Sequence, residues 1–126
     1  MKENYDIAII GGGYIGLEMG SVWSRLGSDV TVIEFLNHIT PGMDKEISNE
    51  FKKILIKQGI KFKMESKVNS VKNTANGVSI NYTDIKNSKN ETLDFDKVLV
   101  SVGRKPYTEG LNLSKVGVKK DTKGRI

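Results

Sequence analysis

The chain has 126 residues, 37% of them apolar and 28% charged, which suits one globular domain with a real core rather than a disordered chain. It has no cysteine, so it has no disulfide, no thiol nucleophile and no redox-active disulfide of its own. The formal net charge of +5 invites a nucleic-acid partner, but 17 of the 20 basic residues are lysines placed singly or in pairs, which reads better as a solvated surface and argues against nucleic-acid binding.

In chain order, the start Met1-Lys2-Glu3-Asn4-Tyr5-Asp6 is polar and lacks the features of a secretory signal. Nowhere does an apolar run approach the roughly 20 residues that span a bilayer, so no membrane partner is expected. Tyr5 to Ile10 reads as a continuous apolar strand, of the kind buried on both faces of a parallel sheet. It runs into Gly11-Gly12-Gly13-Tyr14-Ile15-Gly16, where Gly11, Gly13 and Gly16 fit the spacing G-x-G-x-x-G of a dinucleotide site. The first glycine turns the chain, the second lets the backbone approach a pyrophosphate, and the third lets helix pack tightly on strand. A phosphate would then face the free N–H groups and positive dipole end of the new helix. Ile15, Met19, Val22, Trp23 and Leu26 recur at helical spacing, and Gly27 ends the helix. Asp29 to Ile33 is a second β-branched run, completing a βαβ unit with a right-handed crossover.

Glu34 lies 18 positions after Gly16, at the carboxyl end of the second strand. A carboxylate about 20 positions beyond such a glycine cluster accepts hydrogen bonds from an adenosine ribose. It would repel a 2′-phosphate, and Phe35 and Leu36 supply no arginine to neutralise one. NAD is therefore expected rather than NADP. Taken alone, Glu34 is also a plain acidic residue at the end of a strand; the preceding glycines favour the functional reading.

Phe35 to Met43 reads as loop, and its His38 has no companions for a metal set. A second helix opens at Met43-Asp44-Lys45-Glu46 with acidic residues in its first turn. Ile47, Phe51, Ile54 and Leu55 form its apolar face and Gly59 closes it, before a third strand from Ile60 to Met64. From Ser66 to Phe95 short alternating runs follow, with a hairpin signal at Asn76-Gly77 and a longer loop at Asn87-Ser88-Lys89-Asn90. This pattern predicts a small antiparallel meander inserted into the α/β framework. Lys97 to Val102 is again a continuous apolar strand that returns to the parallel sheet and ends at Gly103-Arg104-Lys105-Pro106. Gly103 reads equally as a plain turn glycine or as a close approach at the ligand edge. Beyond Pro106, Leu111, Leu113, Val116 and Val118 are expected to pack a short segment against the domain, with Gly117 in a turn. The fold class is thus α/β, a Rossmann-like parallel sheet with helices and an inserted antiparallel β-meander.

Three stretches together, Gly11 to Glu18, Gly20 to Gly27 and Val30 to Phe35, resemble the NAD-binding domain of the dihydrolipoamide dehydrogenase family, flavoprotein disulfide reductases. The run Val98 to Pro106 is similar to the segment that ends that domain, and Lys57 to Lys63 and Gly110 to Leu113 match as well. The resemblance runs from about Ile7 to Ile126 and implies a single NAD(H)-binding domain over residues 1–126. By position it implies that Gly11, Gly12, Gly13, Tyr14, Ile15, Gly16, Leu17 and Glu18 line the pyrophosphate and approach the nicotinamide. Glu34 would bind the adenosine ribose, Val68 would pack beside the adenine, and Gly103 would close the nicotinamide side. In the family Tyr14 and Glu18 lie towards the flavin. No residue here is expected to be catalytic or to bind metal.

A complete family member also carries an FAD-binding domain with a C-x-x-x-x-C redox pair, and a dimerisation domain with a catalytic histidine and glutamate. Neither is present, so the expected partners are NAD(H) and those remaining FAD and dimerisation domains, and FAD belongs only to the complete enzyme. The lead-in Lys2-Glu3-Asn4-Tyr5-Asp6-Ile7 resembles the start of the family's FAD domain. An in-frame deletion, a joined fragment or a cloned domain would each produce it. The resemblance implies bacterial cytoplasm or mitochondrial matrix, and a chain that binds NADH without lipoamide activity. The alternatives are an autonomous non-catalytic nucleotide-binding module or gene remnant, separable from a split enzyme by the neighbouring gene sequence, and a glycine motif that binds FAD.

Overall fold

The computed structural model describes residues 4–126; Met1, Lys2 and Glu3, which carry half of the polar start and part of the lead-in, lie outside them. The element order is β1 (Asp6–Ile10), α1 (Tyr14–Arg25), β2 (Asp29–Ile33), α2 (Lys45–Lys57), β3 (Lys61–Lys63), β4 (Ser66–Thr74), β5 (Gly77–Asp84), β6 (Lys89–Phe95) and β7 (Lys97–Val100), then a 3₁₀ turn at Leu113–Val116. Four strands form a parallel sheet in the order β3-β2-β1-β7, and β4-β5-β6 form a separate antiparallel sheet. The chain winds outward from β1 through β2 to β3, then returns to the other side of β1 as β7. The strand order therefore reverses between β1 and β7, which opens a crevice beyond their carboxyl ends.

The apolar runs are continuous because both faces of the parallel sheet are covered. Ile7, Ile9, Val30 and Val32 point to one face and join Leu17, Ile39, Leu55 and Ile60 in a core with α1 and α2. Ala8, Ile10 and Ile33 point the other way and meet Val78, Ile80 and Phe95 of the meander. The inserted meander is thus the second covering layer of the sheet, a place that a crossover helix often takes. Tyr82 is buried in it, with its hydroxyl donating to Glu91, and burial together with that carboxylate holds the phenol well above its ordinary range.

Both helices stand where the spacing predicts, Gly27 and Gly59 follow their last turns, and Trp23, Phe51 and Leu55 pack on the core as expected, but the rest of the buried faces differs from expectation. In α1 the inward residues are Gly16, Leu17 and Gly20, whereas Met19, Val22 and Leu26 are exposed. A side chain on Gly20 would lie 2.7 Å from Ile9 Cδ1, so the helix seats on the sheet through its missing side chains. In α2 the buried positions are Ser48 and Leu55 with Phe51 packed beside them, and Ile47 and Ile54 face outward.

Several boundaries also move: the first strand starts at Asp6 rather than Tyr5, and the third spans Lys61–Lys63 rather than Ile60 to Met64. The last parallel strand ends at Val100 rather than Val102; its register with β1 closes at Ile10, whose carbonyl takes a final backbone bond from Ser101 N at 2.8 Å. The first hairpin turns at Ala75-Asn76, with Gly77 already paired to Thr74. Lys89 and Asn90 belong to β6 instead of the loop, since Asp84 accepts from the N–H of Lys86 and Asn87 and closes the turn early. Among the tail residues Leu111 and Val116 are exposed rather than packed, while Val118 N–H closes on Leu113 O.

Gly77 gives a direct test of the meander. Its φ is +145°, and a Cβ there would collide with the carbonyl oxygen of Phe95. Gly77→Ala is expected to destabilise the chain by about 1–3 kcal/mol, read from the midpoint and slope of urea unfolding.

Candidate functional site

The crevice beyond β1 and β7 is the mouth of a cleft of about 590 Å³. Its walls come from the glycine turn with Tyr14 and Ile15, from Glu34 to Leu36 after β2, from Thr40, Pro41 and Met43, from Ser66 to Val68, and from Ser101 to Arg104. The glycine turn is built by close approaches. Gly11 N donates to Ile33 O at 2.9 Å, its φ is +107°, and a Cβ on it would stand 2.6 Å from Ser101 O. On Gly16 a Cβ would stand 2.5 Å from Gly11 O and 2.6 Å from Ser101 Oγ. Gly11 and Gly16 are therefore glycine because the protein itself fills the space.

Gly13 differs. Its backbone is extended, at φ −76° and ψ 174°, and a Cβ added to it meets nothing within 4 Å. Neither backbone strain nor a protein neighbour calls for glycine here. It is the N-cap of α1, where no side chain caps the helix and no acidic residue sits in the first turn. The first N–H groups and the positive end of the dipole are thereby left open to the cleft, an arrangement that receives an anion. At α2, by contrast, the N-terminus is closed by Asp44, whose carboxylate accepts from Glu46 N at 2.8 Å and Ile47 N at 3.2 Å.

Glu34 is 7% exposed. One carboxylate oxygen, Oε2, accepts from Gly12 N at 2.5 Å, and Oε1 accepts from Leu36 N at 2.8 Å. Each oxygen keeps a second lone pair for a further donor. The carboxylate thus ties the glycine turn to the exit of β2 while lining the cleft.

Of the residues singled out in the sequence, Gly11, Gly13, Tyr14, Ile15, Glu34, Val68 and Gly103 meet around the cleft. Gly12 is buried behind the turn, and Gly16 lies beneath it against Ser101. Leu17 points its side chain into the core beside Ile9, and Glu18 is exposed on α1 outside the cleft wall. At Gly103 a φ of +116° accounts for the glycine as a turn residue, and the same residue borders the cleft. His38 bonds to the neighbouring Asn37 side chain, and the described residues contain no cluster able to hold a metal.

Residues that the sequence did not mark are Ser101, Thr40 and Arg104. Ser101 Oγ donates to Ile10 O at 3.1 Å and Gly11 O at 3.2 Å, pinning the end of β7 to the turn. A serine interrupting the run Val98 to Val102 was its one visible signal. Thr40 N donates to Gly12 O at 2.8 Å, a contact with no local signature.

Known proteins share this architecture. The family model described as pyridine nucleotide-disulphide oxidoreductase matches residues 2–126. A dihydrolipoamide dehydrogenase of Chaetomium thermophilum is 57% identical over 119 residues, covering 94% of this chain and 24% of that protein. The mitochondrial dihydrolipoyl dehydrogenase of Pisum sativum is 50% identical over 120 residues, covering 95% of this chain and 24% of that one. Among solved structures, the HOCl-induced flavoprotein disulfide reductase RclA from Escherichia coli superposes with a TM-score of 0.81 at 29% identity, over 97% of this chain and 26% of its own. The chain spans about a quarter of the length of these relatives. With the family model matching residues 2–126 and 57% identity to a dihydrolipoamide dehydrogenase over 119 residues, the chain belongs to the pyridine nucleotide-disulphide oxidoreductase family and is dihydrolipoamide dehydrogenase-like within it.

Proposed function

We propose that residues 1–126 form a single NAD(H)-binding domain of a dihydrolipoamide dehydrogenase, the enzyme that passes a hydride from reduced FAD to NAD⁺ as dihydrolipoamide is oxidised. The observation that carries the reading is Gly13, a glycine that neither backbone strain nor a protein neighbour requires, at the uncapped start of α1 facing the cleft. In this reading the first N–H groups of α1 hold the pyrophosphate, and the spare lone pairs of Glu34 take the ribose hydroxyls. Val68 borders the adenine, and Tyr14 and Gly103 border the nicotinamide. Bound NAD⁺ supplies the hydride-accepting ring. What the chain's own residues do is bind and orient: Glu34 sets the ribose and repels a 2′-phosphate, and the glycine turn sets the phosphates.

The remaining FAD and dimerisation domains are the partners this reading requires, and bacterial cytoplasm or mitochondrial matrix its compartment. No helix among the described residues is long and apolar enough to cross a membrane. Titration of the purified chain with NADH, NADPH and FAD tests the proposal. NADH is expected to bind at least tenfold more tightly than NADPH, FAD is not retained, and no lipoamide-dependent NADH turnover occurs. Preferential binding of FAD, or lipoamide turnover by this chain alone, would overturn it.

A further inference from the structure

Gly12 is held at both of its backbone groups. Its N–H donates to Glu34 Oε2 at 2.5 Å, and its carbonyl accepts from Thr40 N at 2.8 Å. Thr40 makes that bond from an unusual backbone position, φ +49°, which a β-branched residue rarely adopts. Such a conformation persists when the surroundings over-determine it. Here the Thr40 hydroxyl lies 2.8 Å from Ser48 Oγ, with Thr40 4% and Ser48 1% exposed. Ser48 sits in the first turn of α2, which Asp44 caps, and it does not line the cleft. A continuous line therefore runs from a fixed helix through Ser48 and Thr40 to Gly12, the residue between the two glycines that face the cleft.

Resting on the nucleotide reading above, we propose that Thr40 and Ser48 are a positioning pair, holding the glycine turn so that Gly13 and the first N–H groups of α1 point at the dinucleotide. Ser48 acts at a distance, through Thr40 and Gly12. Removing either hydroxyl leaves its partner buried without a hydrogen bond and frees the Thr40 backbone to relax out of its left-handed conformation.

The test compares NADH affinity of the full chain with Thr40→Val, Ser48→Ala and Thr40→Ser, and follows the Gly12 amide of each by ¹⁵N-resolved NMR. Thr40→Val and Ser48→Ala are expected to raise the NADH Kd roughly fivefold, the worth of about one net hydrogen bond, and to move the Gly12 amide resonance while meander amides stay in place. Thr40→Ser keeps the hydroxyl and is expected to stay within about twofold of the parent. Unchanged affinity and an unmoved Gly12 amide in Ser48→Ala would overturn the proposal, as would Thr40→Ser losing as much as Thr40→Val. Where Thr40→Val fails to fold, Ser48→Ala against Thr40→Ser decides. If the parent chain binds no NADH, the nucleotide reading falls, and the Gly12 amide alone decides the positioning.

Discussion

Gly13→Ala is expected to leave the fold unchanged and to raise the NADH Kd at least tenfold. The added methyl meets no protein atom within 4 Å, and φ −76° with ψ 174° suits any L-residue, so the unliganded chain should lose only the difference between glycine and alanine at an N-cap, about 1 kcal/mol or less. A dinucleotide whose pyrophosphate lies against this turn would be pushed away from the N–H groups of α1. Losing about 1.4 kcal/mol of that contact is a factor of ten. The contrasting change is Gly16→Ala, where the methyl meets Gly11 O at 2.5 Å, Ser101 Oγ at 2.6 Å and Ile9 Cγ2 at 2.9 Å. Two of these neighbours are backbone and core, and neither can swing away. That variant should lose about 3 kcal/mol or more of stability, the upper end for volume added to a packed interior. Urea unfolding and NADH titration of the two variants separate the roles of the two glycines. Gly13→Ala with the parent's affinity would remove the pyrophosphate from this turn.

The same residues show what the sequence could reveal and what it could not. Ile7 to Ile10 was legible as a buried strand because helices cover one of its faces and the meander the other, so no polar residue interrupts it. Glu34 was legible by its distance from the glycines, since that spacing measures one strand-helix-strand unit. The helix faces were legible only in part: Trp23, Phe51 and Leu55 pack on the core as their spacing predicts. Periodicity weights large side chains, and in α1 it selected Met19, Val22 and Leu26, which are exposed. Close packing instead selected the residues with least side chain, Gly16 and Gly20, and these carry no hydrophobic signal. The clasps of the glycine turn were hidden for a different reason. Ser101 lies 91 positions from Ile10, and Glu34 lies 22 from Gly12, so their bonds depend on topology that no local pattern encodes. Thr40 gave no warning at all: threonine is a poor choice for φ +49°, and its side-chain bond to Ser48 together with its backbone bonds to Gly12 and Met43 make the position intelligible.

Removal of the Glu34 carboxylate should damage selectivity and stability together, by separable routes. Its two oxygens satisfy Gly12 N and Leu36 N, and Gly12 is buried. Glu34→Ala leaves the Gly12 N–H without an acceptor, which costs roughly 1–3 kcal/mol. Glu34→Gln keeps the volume and one acceptor oxygen, but its amide NH₂ must then face a backbone donor, so it should lie between the parent and Glu34→Ala in stability. For binding the order is different. Both variants lack the negative charge that repels a 2′-phosphate, and both lose an acceptor for the ribose hydroxyls. Each is expected to raise the NADH Kd at least tenfold while bringing NADPH to within about threefold of NADH. Measuring Kd for both nucleotides beside the unfolding free energy therefore distinguishes two roles in one side chain. If Glu34→Gln lost stability but kept the parent's ratio of NADH to NADPH affinity, Glu34 would serve the glycine turn alone, and the ribose would have to be read by another residue.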